Sequence, residues 1–111
     1  MSARAHFSLG RLPTGQMNKT EAAYAAHLEI LKRTGDIRAY WFEALKLRLA
    51  DKTFFTPDFL VLGRDNQVEC HEVKGFWQDD ARVKIKVAAA QYPFRFRAVK
   101  KRGSFWDYEE F

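Results

Sequence analysis

Residues 56–75, TPDFLVLGRDNQVECHEVKG, place two apolar runs on either side of the polar, turn-prone segment GRDNQ, which is the pattern of a β-hairpin. Yet two acids and a lysine stand where a core belongs. Side chains alternate along a strand, so Asp58, Leu60 and Leu62 share one face of the first run, and Val68, Cys70, Glu72 and Lys74 share one face of the second. A symmetric turn then sets Leu62 opposite Val68, Leu60 opposite Cys70, and Asp58 opposite Glu72. Opposed residues of an antiparallel pair have β-carbons about 4.5–5.5 Å apart, where like charges repel. A shared proton, the Lys74 ammonium on the same face, or a divalent cation between the acids would each offset that repulsion. Magnesium suits two carboxylates, because water and phosphate oxygens complete its shell. An isolated E-x-K is ordinarily a solvated strand face; its conjunction with Pro57-Asp58 in this register argues for a site.

Upstream, the chain changes character at Asn18. Residues 1–17 carry Arg4 and Arg11, no acid, and Gly10, Pro13 and Gly15, so they read as a basic arm without a core of its own. Beyond it, Tyr24, Leu28 and Leu31 recur at helical spacing and Gly35 offers a stop, which predicts a helix over 18–34. Asn18 and Glu21 have the spacing of a capping box. Glu21 also shares the stripe of Tyr24 and Leu28 that should face a sheet, so it is a third candidate acid, acting directly or through water.

Downstream and around the hairpin, the pattern predicts a strand within 37–49, where Leu45, Leu47 and Leu49 alternate with Lys46 and Arg48. The hairpin runs are read as strands over 54–62 and 68–74. Asp79 and Asp80 are placed to open a helix reaching about Gln91, with Val83, Val87 and Ala90 as its apolar stripe. Phe94, Phe96 and Ala98 against Arg95 and Arg97 mark another strand, and 105–108 a last one. The expectation is an α/β fold of order αβββαβ, a mixed sheet of four to five strands flanked by helices, in one domain spanning 18–111.

Bulk properties narrow the class. A chain of 111 residues, 47% hydrophobic, can build one small core. It contains no run of about 18 apolar residues and no apolar leader, and its single Cys70 cannot make an internal disulfide, so the expected setting is the reducing cytoplasm and not a membrane. Nineteen Lys and Arg against 14 Asp and Glu give +5, which favours a polyanionic partner. Lys19, Arg64, Arg82, Lys84, Lys86, Lys100, Lys101 and Arg102 are the candidates to track phosphates. Phe76 and Trp77 either close the core or stack on an unpaired base. His71 and Val73 point away from the acids, which makes His71 a poor metal ligand, and His27 has no evident partner.

Taken together, Pro57-Asp58 and Glu72-Val73-Lys74 resemble the metal site of the PD-(D/E)XK nuclease superfamily. TFFTPDF followed by EVKGFWQDDARVK is similar to the corresponding stretch of the phage endonuclease I family of Holliday-junction resolvases, over roughly residues 18–100, and small phage proteins of this length look similar too. The resemblance implies a restriction-endonuclease-like core. It implies that Asp58 and Glu72 bind Mg²⁺, with Mn²⁺ able to substitute, that the Val73 carbonyl adds a ligand, and that Glu21 is the acid of the first helix. Lys74 would be the catalytic lysine, the products 5′-phosphate and 3′-hydroxyl ends, and the substrate branched DNA in a bacterial host. Symmetric cutting of a junction implies a homodimer. A nickase, a flap or sequence-directed endonuclease, and a basic DNA-binding module without chemistry stand as alternatives.

Overall fold

The computed structural model describes residues 15–75 and 79–111. The expected arm therefore lies almost wholly outside the described residues, as do Phe76 and Trp77. Helix α1 (Lys19–Thr34) opens with the anticipated capping box: the Asn18 side chain accepts from the Glu21 N–H at 2.8 Å, and the Glu21 carboxylate accepts from the Asn18 N–H at 2.9 Å. It closes at Gly35, whose φ of 84° is open to glycine at little cost.

Among the described residues seven strands follow: β1 (Ile37–Phe42), β2 (Leu47–Ala50), β3 (Thr53–Phe55), β4 (Phe59–Gly63), β5 (Val68–Val73), β6 (Arg95–Arg102) and β7 (Phe105–Glu110). Helix α2 (Asp79–Gln91) lies between β5 and β6. One sheet has the order β1-β4-β5-β6-β7, and β2 with β3 forms a separate hairpin. Only β5 and β6 run parallel, which the α2 crossover permits; the other pairs are antiparallel. The main sheet thus has the expected αβββαβ order with the β2–β3 hairpin inserted and β7 added.

Three expectations need correction. The span 37–49 is two strands in different sheets, because the chain turns at Glu43, a non-glycine residue with φ of 50°. The span 54–62 is likewise two, since Pro57 has no N–H to give and the Asp58 N–H goes to a side chain. On α2 the buried residues are Ile85 and Ala88, whereas Val83 is 57% exposed, so the helix is rotated away from the expected Val83-Val87-Ala90 stripe.

The sheet separates two cores. On one side Tyr24 and Leu28 of α1 pack with Phe59, Val61, Val73 and Val99. On the other, Ile85 and Ala88 of α2 pack with Cys70, Phe96 and the hairpin residues Leu47, Leu49 and Phe55. Burying both faces explains why β4, Phe-Leu-Val-Leu-Gly, is a continuous apolar run, whereas β5 carries Glu69, His71 and Glu72 among its apolar residues. No helix among the described residues is long and apolar enough to cross a membrane.

Candidate active site

The anticipated hairpin register holds. Leu62 pairs with Val68, Leu60 with Cys70 and Phe59 with His71, and the turn is closed by the Gly63 N–H donating to the Gln67 carbonyl at 2.8 Å. One step further along, side chains take over from the ladder. Glu72 Oε1 accepts from the Asp58 N–H at 3.0 Å, and Asp58 Oδ2 accepts from the Val73 N–H at 2.8 Å. The Glu43 N–H donates to the Asp58 carbonyl at 2.8 Å, so the β1 side of this position is paired as well. Each carboxylate is therefore oriented by the backbone of the neighbouring strand. Lys74 lies just past the end of β5, its N–H donating to the Val99 carbonyl at 2.9 Å, and its Nζ sits 3.1 Å from Glu72 Oε2.

Burial makes this cluster costly. Asp58 is 7% exposed, and desolvation pushes its pKa well above the usual carboxylate range, helped by the charges of Glu72 and then Glu21. Burial raises Glu72 too, with the Lys74 ammonium the largest opposing influence. One ammonium faces two carboxylates, so a proton or a cation is needed to offset the second. Glu21 completes the helix cap while its charge is felt by both acids. Among the described residues no group of three or more His, Cys, Asp or Glu side chains could hold a metal together. The donor set is then two hard carboxylate oxygen groups, which fits magnesium, an ion that takes one or two carboxylates and keeps waters.

The candidate phosphate-binding residues separate. Ala98 pairs with Glu72 across β5 and β6, and alternation carries that same face on to Lys100 and Arg102. Those two residues and Lys74 line one cleft of about 180 Å³, together with Asp107 and Glu109. Arg102 is paired with Asp107 at 2.8 Å, and Arg82 of α2 holds Glu109 through two bonds of 3.0 and 2.8 Å. Lys101 points to the other face, over the Trp106 ring. Lys19 begins α1, Lys84 and Lys86 are exposed on α2, and Arg64 occupies the hairpin turn. Arg64 lines a different cavity, of about 520 Å³, with Glu69, His71 and Arg97.

A buried polar chain escaped sequence reading. Tyr24 Oη is 2.7 Å from His71 Nδ1 and 3.0 Å from Tyr108 Oη, and His71 Nε2 is 2.8 Å from Glu69 Oε1. The bond from His71, more than burial opposes it, keeps Glu69 below the ordinary carboxylate range, so Glu69 accepts and His71 Nε2 donates. His71 Nδ1 then accepts from the Tyr24 hydroxyl, and Tyr24 accepts from Tyr108. Burial lowers the His71 pKa and raises that of Tyr24, so both stay neutral. His71 does face away from the acids, as strand alternation requires. His27 lies against the rings of Tyr24 and Trp106. Burial pushes the Cys70 thiol up to about 12, which leaves it unreactive.

No protein-family model, no curated protein and no solved structure matches the chain.

Proposed function

We propose that the protein is a Mg²⁺-dependent endodeoxyribonuclease acting on branched DNA, of the PD-(D/E)XK kind that the sequence resembles. One observation carries this reading: the buried Asp58 and the part-buried Glu72, each hydrogen-bonded to backbone of the neighbouring strand, share a lysine that also borders a cleft with Lys100 and Arg102. A structural ion pair needs only one acid for one lysine. A second desolvated acid costs stability unless a proton or a cation joins it, and a site of this shape on a strand pair suits the cation.

Asp58 and Glu72 would hold the metal, with Glu21 near enough to act through charge or water. Bound there, the ion supplies charge neutralisation and Lewis acidity for in-line phosphodiester hydrolysis. The attacking water forms a new P–O bond while the bond from phosphorus to the 3′ oxygen breaks, and the proton lost by water ends on that oxygen. Lys74 donates to the phosphoryl oxygen as charge builds on it and orients the attacking water. Lys100 and Arg102 hold the adjoining phosphates, exchanging Asp107 for the nucleic acid. Cutting a four-way junction symmetrically requires two such sites, hence a homodimer. A phage-encoded enzyme of this kind works in the host cytoplasm.

The test is incubation with a synthetic four-way junction, a flap and a plain duplex, with Mg²⁺ or with chelator. Metal-dependent cutting that favours the junction or flap supports the reading. Binding without cutting on every substrate would leave the non-catalytic DNA-binding module.

A further inference from the structure

Trp41 stands out on the acid-bearing side of the sheet. It lies on the edge strand β1 and is 46% exposed. Its ladder partner is Leu60, which in turn pairs with Cys70, so all three side chains emerge on the α2 side. Asp58 is two residues before Leu60, just ahead of β4, and alternation makes it a diagonal neighbour of Trp41, about 7–8 Å away with the β-carbons somewhat closer. Single exposed apolar residues are common on protein surfaces. An indole half in solvent, beside a pair of buried carboxylates, on a face that continues into Lys74, Lys100 and Arg102, is a more specific arrangement.

We propose that Trp41 is a stacking platform for an unpaired nucleobase of the substrate strand. The inference rests on the nuclease reading for its substrate and adds to it a source of selectivity. An indole face accepts any base, because every base has a π-face, whereas a base stacked within intact duplex has none free. The lysines and arginine on the β6 side hold the backbone; the indole on the β1 side takes the base. Strands β1 and β5 are two sheet spacings apart, roughly 10 Å. That distance is about three nucleotide rises of 3.4 Å. The captured base is therefore within about three nucleotides of the bond that is cut, which selects flaps, branch points and gaps over continuous duplex.

The full chain tests this in chelator, where nothing is cut, using a flap oligonucleotide carrying the fluorescent base 2-aminopurine one to three nucleotides from the branch. Wild type and Trp41→Phe quench the probe. Trp41→Ala and Trp41→Leu lose the quench and bind the flap about 5- to 150-fold more weakly, with duplex affinity unchanged. The leucine variant keeps an apolar side chain without a π-face, and thermal melts confirm that each variant is folded. Quenching and flap affinity that survive in Trp41→Leu overturn the proposal. Cleavage measured in parallel with Mg²⁺ separates the two ideas. Quench without any cutting keeps the platform and removes the nuclease. Cutting by Trp41→Ala with unchanged flap preference keeps the nuclease and removes the platform.

Discussion

Asp58 carries the conflict between stability and chemistry. Its folded pKa is raised, so the folded chain binds its proton more tightly than the unfolded chain does. The stability tied to that proton is present at acid pH and lost as pH rises through the folded value. At neutral pH, without a cation, the Asp58 carboxylate is a burden. Asp58→Asn removes the charge and keeps an oxygen to accept from the Val73 N–H, so it should gain roughly 0.5–2 kcal/mol at pH 7 in chelator. The gain shrinks toward acid pH, and cleavage falls at least about 10²-fold. Urea unfolding of both proteins in chelator decides the point: a variant less stable than wild type would make Asp58 a structural clamp. This residue pair could be read from the sequence because its placement depends only on strand alternation and a symmetric five-residue turn. Lys74 was readable for the same reason. The exposure of Trp41 was not, since it depends on which strand ends at the sheet edge.

Between elements, the bond from Tyr24 to His71 ties α1 to β5, one residue from Glu72. His71 is held neutral because burial lowers its pKa below 6.5. The unfolded chain takes up the proton that the folded chain refuses, so the His71 contribution is intact above about pH 6.5 and is lost as pH falls below it. The acid pair, with raised pKa values, contributes a slope of the opposite sign, and a variant separates the two. His71→Gln should lower the unfolding temperature at pH 7 and show a smaller further loss between pH 7 and 5 than wild type. Parallel slopes would mean that His71 is not the group that titrates. Tyr24→Phe, which strips His71 Nδ1 of its donor, should cost about 1–3 kcal/mol.

The elements themselves were readable in proportion to how local their signals are. The ends of α1 follow from Asn18, Glu21 and Gly35, all within the helix and its borders. The break at Glu43 was hidden because that residue adopts left-handed backbone, φ of 50°, without being glycine or asparagine. The rotation of α2 was hidden because Val83 and Ile85 are both apolar and β-branched, and only the closed fold decides that Ile85, with the small Ala88, faces the sheet. Tyr24, His71 and Tyr108 are brought together only by the closed fold.

For the whole molecule, the excess positive charge is not spread evenly in its effect. Glu69 and Glu110 hold Arg95 and Arg97 in ion pairs; Lys74, paired with Glu72, Arg102, paired with Asp107, and Lys100 border one cleft beside the acids. In the proposed reading that cleft attracts a polyanion, and Asp58 and Glu72 beside it need a cation before a phosphate can approach them. That requirement is the centre of the account. It is tested most directly by titrating Mn²⁺ into the full chain and into Asp58→Asn at neutral pH, following the free-ion signal by electron paramagnetic resonance. Wild type should remove Mn²⁺ from solution at saturable stoichiometry, with Mg²⁺ competing, and the variant should not. Equal uptake by the two proteins, or none by either, would contradict a metal site built on Asp58 and Glu72.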